Sequence, residues 1–255
     1  MRIRWRNRTL VAVVAAAALG CSDGTGPDGA ADVAVAFRVV PGAAAPPALG
    51  AAPPRSVVVE GSNGTLVVEE LYVVVAEFEL KRVEDHDCDD DDACEEFEAP
   101  PTFVQVPLNG GRTVAVETTV GTGAFDELDF EIERLDDDED AERRLLAEIR
   151  TRFPEWPRDA SLLVTGTFTP SGGDPIPFRT FFEAEVEIEL DLAPPVRITE
   201  GDDATFTVQL DPALWFVDGT GRVRNLALLD FDDTGRVFEL EVEIENGFTK
   251  VEVDD

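Results

Sequence analysis

Alternation constrains this chain before anything else does. Ala76, Phe78 and Leu80 alternate with Glu77, Glu79 and Lys81; Val186, Ile188 and Leu190 with Glu185, Glu187 and Glu189; and Leu240, Val242 and Ile244 with Glu239, Glu241 and Glu243. A period of two sends successive side chains to opposite faces of an extended backbone. Each segment is therefore predicted as a strand with an apolar face on a core and an acidic face in water.

Turn chemistry separates the alternating runs at short intervals. Gly61-Ser-Asn-Gly64 lies between residues 57–60 and a long run over 66–83, and Ser171-Gly-Gly-Asp-Pro175 between residues 162–168 and 178–192. Asn109-Gly-Gly111 joins residues 103–108 to 113–120, and Gly121-Thr-Gly123 leads into residues 125–135. Glycine, asparagine and proline at such spacing predict antiparallel hairpins. The fold class that follows is all-β, mainly an antiparallel β-sandwich or partly closed barrel.

A first strand is expected over residues 33–40, and the Ala- and Pro-rich residues 43–54 read as a surface excursion. One segment breaks the rhythm: after the acidic run 136–140, Leu145, Leu146 and Ile149 share a helical face, and Pro154 ends it. A short helix is expected near 140–152, with acids at its N-terminal end and arginines toward its C-terminal end. Residues 32–255 are expected to form a single domain, a length sufficient to bury a sizeable core.

The N-terminus reads as an address. Four arginines, Arg2, Arg4, Arg6 and Arg8, precede the apolar residues 10–19. That stretch is far short of the roughly 20 residues that span a bilayer and has the layout of a secretory signal. Ala18-Leu-Gly-Cys21 follows and resembles the lipobox of bacterial lipoproteins, with Ala18 where the family more often has Leu. The resemblance implies that residues 1–20 are removed and that Cys21 becomes a lipidated N-terminus. It also implies the outer membrane in a Gram-negative cell, because Ser22 rather than Asp follows the cysteine. Residues 21–31, rich in Gly, Pro and Asp, have the composition of a flexible tether. An ordinary cleaved signal with Cys21 left as an unmodified residue is the competing reading, and the tether favours the lipoprotein.

Charge then excludes partners. The chain holds 21 basic and 54 acidic residues, a formal charge of −33, and loss of the four signal arginines makes it more negative. Such a surface repels phosphate backbones and anionic headgroups, so nucleic acid is excluded and the membrane is reached only through the Cys21 lipid. With Cys21 lipidated, Cys88 and Cys94 remain in an oxidising compartment and are expected to be bridged.

Several landmarks together resemble a set of uncharacterised bacterial surface lipoproteins with a predicted transthyretin-like or immunoglobulin-like sandwich. They are Gly61-Ser-Asn-Gly-Thr-Leu66, Val75-Ala-Glu-Phe-Glu-Leu-Lys-Arg82, Cys94-Glu-Glu-Phe-Glu98, Val106-Pro-Leu-Asn-Gly110, Thr165-Gly-Thr-Phe168 and Leu214-Trp-Phe-Val-Asp-Gly219. The resemblance implies a fold and an extracytoplasmic address, and it brings no catalytic residue.

No catalytic constellation emerges. The one histidine, His86, sits in an acidic loop without a nucleophile elbow, and neither a phosphate loop nor a dinucleotide fingerprint occurs. Two segments imitate calcium loops. In the first, Asp85, Asp87 and Asp89 alternate and Glu96 is twelfth, but Asp90 stands where that loop needs Gly, which favours a solvated, disulfide-pinned hairpin tip. In the second, Asp230, Asp232 and Thr234 alternate, Gly235 takes the turn position and Glu241 is twelfth. The pattern is fuller there, and a tight turn between two strands is its competitor. Calcium is the only cofactor either segment suggests. Trp156 and Trp215 are candidates for stacking on a ligand, with core packing as the alternative.

The leading functional reading is a non-catalytic, lipid-anchored, acidic cell-envelope protein with a binding, adhesion or structural role, stabilised by calcium if either loop holds it; its protein or glycan partner is unknown. A carbohydrate- or small-ligand-binding module built on Trp156 and Trp215 is the first alternative. A secreted carbohydrate hydrolase, suggested only by the abundance of acids, is the second.

Overall fold

The computed structural model describes residues 29–40, 56–83, 97–136, 139–240 and 242–254. Its strands run in chain order as β1 (Ala30–Val39), β2 (Val57–Gly61), β3 (Gly64–Val75), β4 (Glu77–Arg82), β5 (Phe97–Ala99), β6 (Thr102–Gln105), β7 (Arg112–Gly121) and β8 (Gly123–Ile132). Helix α1 (Asp140–Arg152) follows, then β9 (Leu162–Pro170), β10 (Ile176–Glu183), β11 (Val186–Ile198) and β12 (Asp203–Leu210). The chain closes with the helical turn α2 (Phe231–Thr234), β13 (Phe238–Glu239), α3 (Val242–Glu245) and β14 (Phe248–Asp254).

Three sheets result: β14-β12-β1-β7, then β13-β10-β9-β3-β2 with β6 also paired to β3, and β11-β8-β4-β5. None of these orders closes on itself among the described residues, so the fold is an open, mostly antiparallel β-sandwich. The inward faces of all three sheets meet in one apolar core. Phe37 of β1 packs on Phe78 of β4 and Phe130 of β8, with ring centroids 6.2 and 5.6 Å apart, and Phe248 of β14 joins them.

Strand β3 shows how local sequence reports layering. Its first part, over Thr65–Val68, alternates in burial, but Leu71, Tyr72, Val73, Val74 and Val75 are all buried. A continuous apolar run is what a strand covered on both faces requires. Helix α1 supplies the second cover: Leu146 and Ile149 pack with Tyr72, Val74, Leu163 and Phe181 in a second core. Asp140 and Glu142 lie in the first turn of α1 and Arg150 and Arg152 in its last, as the helix dipole favours. The Arg152 guanidinium lies 4.6 Å from the centroid of the Tyr72 ring.

Two expected hairpins form, β2–β3 around Ser62 and Asn63, and β9–β10 around residues 171–175. The other turns do something different. β6 pairs with β3 and β7 with β1, so the turn at 109–111 passes the chain from one sheet to another. Likewise Gly121-Thr-Gly123 carries the chain from β7 to β8, which pairs with β4 and β11. The two glycines there make room for Arg82. A Cβ on Gly121 or Gly123 would meet its guanidinium at 2.9 or 2.5 Å, and Arg82 Nη1 donates to the Thr122 carbonyl at 2.9 Å.

Two further expectations are corrected, and one pairing was not anticipated. The run 66–83 is two strands, in different sheets, broken at Ala76. Strand β1 lies parallel to β12, a pairing that no local turn announces. The alternation at 240–244 is not a strand: residues 242–245 are helical, and Leu240 and Ile244, four apart, are both fully buried. Ile244 is held there by the tertiary structure, its carbonyl accepting from Trp215 Nε1 at 3.1 Å, and the local alternation carries no trace of that contact.

Candidate cation-binding face

The sheet β11-β8-β4-β5 turns its apolar residues inward, among them Phe78, Leu80, Leu128, Phe130, Ile132 and Ile188. Alternation then places the charged residues outward in rows. Glu79 stands opposite Asp129, which stands opposite Glu189; Glu77, Glu131 and Glu187 form the next row, and Lys81, Glu127 and Asp191 the third. These three rows across β4, β8 and β11 thus hold eight carboxylates and one ammonium. Like charges directly opposite one another on neighbouring strands destabilise a sheet.

Asp129 lies at the centre and is 3 % exposed, although it points away from the core. Its short side chain sits among longer ones, which shield it from water. Lys81 Nζ pairs with Asp129 Oδ2 and lies 3.1 Å from Glu127 Oε1. Asp129 Oδ1 is buried and accepts no hydrogen bond. Carboxylate oxygens of Asp129, Glu187 and Glu189 all lie within 4.8 Å of one another, a group of potential metal ligands among the described residues.

The charges perturb one another in a consistent direction. Burial pushes the Asp129 carboxyl above its ordinary value; the Lys81 hydrogen bond opposes this, while Glu127 and Glu189 add to it. Burial, then Glu133 and Glu187, raise Glu131; burial, then Glu185, raise Glu133. The hydrogen bond to Asp129 holds Lys81 well above the ordinary lysine value.

A raised carboxyl binds more protons in the folded than in the unfolded chain between its two pKa values. Its stabilising contribution is complete below the unfolded value and is lost as pH rises through the folded one. In buffer free of divalent cations, the unfolding temperature is therefore expected to rise as pH falls from 7 toward the ordinary carboxylate range of about 4. Scanning calorimetry over this interval checks the sign, and a midpoint that falls steadily with acidification would contradict it.

Other sites read from the sequence are placed differently. Residues 230–235 form a helical turn in which the Asp230 carbonyl accepts from Thr234 Oγ1 at 2.7 Å, and Gly235 ends the turn at φ 61°. Asp230 Oδ1 accepts from the Arg179 backbone N–H at 2.6 Å, and the Arg179 guanidinium pairs with Asp232 and Glu155. Arg179 therefore holds the two aspartates that the calcium-loop reading assigned to an ion, and Thr234 turns its hydroxyl back onto the helix. Glu241 lies outside the described residues, as do Asp85, Asp87, Asp89, Glu96, Cys88, Cys94 and Cys21.

The stacking role for the tryptophans is corrected as well. Trp156 is 4 % exposed beneath α1 with its Nε1 donating to the Ala160 carbonyl, and its ring contacts Phe103 and Phe181 edge-on. Trp215 is fully buried, with Nε1 donating to the Ile244 carbonyl at 3.1 Å. Stacking on a sugar needs an accessible ring face, and neither has one. A cavity of about 290 Å³ does border Trp215, between Asn63 and the loop at 216–225. Its polar groups are engaged within the fold: Asn63 pairs with the backbone of Val223, Asp218 accepts from Thr220 and Arg222, and Asn225 accepts from Ala227.

Asp129, Glu187, Glu189 and Lys81 were not readable as a group. Each lies on an alternating run, but their meeting depends on the register between three strands.

No family model and no curated protein matches the chain. Among solved structures, MbnP from Methylosinus trichosporium is similar at a TM-score of 0.42 and 15% identity, over 76% of this chain and 83% of that chain. A likeness at that level carries no argument about function.

Proposed function

We propose that this protein is a non-catalytic, lipid-anchored component of the cell envelope that binds positively charged ligands through the outer face of the sheet β11-β8-β4-β5. The observation that carries the reading is the stacking of eight carboxylates in three cross-strand rows, with the buried Asp129 at their centre. Solubility alone does not ask for this arrangement. The outer face of the sheet β14-β12-β1-β7 is also polar but carries both signs: Arg38 pairs with Glu252 at 3.5 Å and Arg112 with Asp254 at 3.1 Å, while Asp32 faces Asp203 and Arg38 faces Arg112 across the strands. Opposed carboxylates cost stability, and a cationic ligand offsets that cost. The arginine-rich start, the short apolar stretch and Cys21 before a tether support the anchor and an extracytoplasmic address.

A polyamine tests the face. Calorimetric titration with spermine at about 0.15 M salt, where exposed charges are screened beyond roughly 8 Å, is expected to show saturable binding. That binding should weaken at least fivefold in the variant Glu79→Gln/Glu131→Gln/Asp191→Asn, which removes one charge from each row. Equal affinity in the two proteins would place cation binding elsewhere and overturn the reading.

A further inference from the structure

We infer that the acidic face contains one specific seat for a hard divalent cation of calcium's size, formed by Asp129 of β8 with Glu187 and Glu189 of β11, and that the Lys81 ammonium is the resident counter-ion which the metal displaces. The inference rests on the cation-binding reading of this face and narrows it to a ligand class and three residues.

Geometry and donor chemistry agree on the ion. Calcium sits about 2.3–2.6 Å from its oxygens, so two oxygens on one ion are at most about 5 Å apart. Those of Asp129, Glu187 and Glu189 fall within 4.8 Å of one another without any movement of backbone. All three donors are carboxylates, which suit hard cations, whereas zinc and copper favour nitrogen and sulfur. Calcium also tolerates the irregular, partly hydrated coordination that three side chains on two neighbouring strands would give.

Asp129 supplies an observation independent of the acid count. Its side chain is 4 % exposed, and its Oδ1 accepts no hydrogen bond. A buried anionic oxygen without a donor is costly, and an ion between Asp129 and the two glutamates would satisfy it. Glu187 and Glu189 are exposed, so the seat opens directly to water.

Lys81 explains how the face persists without metal. It is the only base in the three rows, and it reaches the central carboxylate from the neighbouring strand. Its one positive charge is shared between Asp129 and Glu127. A divalent ion at the seat repels the ammonium at short range, and the flexible lysine stem lets it withdraw toward Glu127 or solvent.

The chain has two lysines, Lys81 and Lys250, which makes the displacement directly measurable. Full-length protein, stripped with chelator, is titrated with calcium chloride by calorimetry. Reductive methylation with peptide mass analysis then follows Lys81, with the exposed Lys250 as internal reference. One saturable calcium site is expected, abolished in Glu187→Gln/Glu189→Gln, and calcium should raise labelling of Lys81 relative to Lys250 at least threefold. Saturable calcium binding that survives in the double variant overturns the seat. Unchanged or reduced Lys81 labelling in calcium-loaded protein overturns the displacement. If the wild type shows no saturable calcium site while spermine still binds, the seat is wrong and the broader reading of the face stands; if neither binds, both fall.

Discussion

Trp215→Ala is expected to lower the unfolding free energy by about 3–5 kcal/mol, the range for removing a large aromatic from a packed core. Trp215 is fully buried, contacts Phe216 and Phe248, and fixes α3 through its hydrogen bond to the Ile244 carbonyl. Alanine would leave a cavity and an unpartnered carbonyl together. The backbone before β14 is moulded to the indole: a Cβ at Gly247 would fall 1.8 Å from Trp215 Nε1. Denaturant unfolding measures the loss, and Trp215→Phe should recover most of it, short of the roughly 1 kcal/mol of the missing hydrogen bond. A ligand-stacking tryptophan would behave in the opposite way, with binding lost and stability kept.

Gly166→Ala is expected to cost about 3 kcal/mol or more, at the upper end of overpacking penalties. Gly166 on β9 pairs with Val68 beside the irregularity in β3 between Val68 and Glu70. A Cβ there would lie 1.9 Å from the Val67 carbonyl oxygen and 3.2 Å from Phe178 Cζ. The obstacle is backbone, so no rotamer relieves it. The two strands would have to separate where Leu71 and Val164 are buried between them and the core. Gly219→Ala is the control, because nothing lies within 4 Å of a Cβ at that position. Equal stability of the two variants would show that the close approach of β3 and β9 is not rigid.

The parts of the fold that local sequence announced are those whose physics is local. Gly61-Ser-Asn-Gly64 closes β2 on β3 because two residues suffice for a hairpin turn. Acids at one end, arginines at the other and Leu146 with Ile149 on one side define α1 within its own length. By contrast, 240–244 has a period of two and yet turns helical from Val242, with Leu240 and Ile244 both in the core and the Ile244 carbonyl bound by Trp215. In the second calcium-like loop, likewise, a helical turn and Arg179 engage Asp230, Asp232 and Thr234, contacts that the spacing of the loop does not announce.

By itself, then, the sequence determined an all-β sandwich with acidic outer faces and one helix, because alternation, turn residues and helix-end charges act within a few residues. Tertiary structure alone decided which strands are neighbours and in what register. The parallel pairing of β1 with β12 joins residues about 170 positions apart, and no turn encodes it. Register is also what places Glu79, Asp129 and Glu189 in one row. A shift of one residue would turn these carboxylates to the other face of the sheet. The burial of Asp129 and its contact with Lys81 are therefore properties of three strands packed together, and of none of them alone.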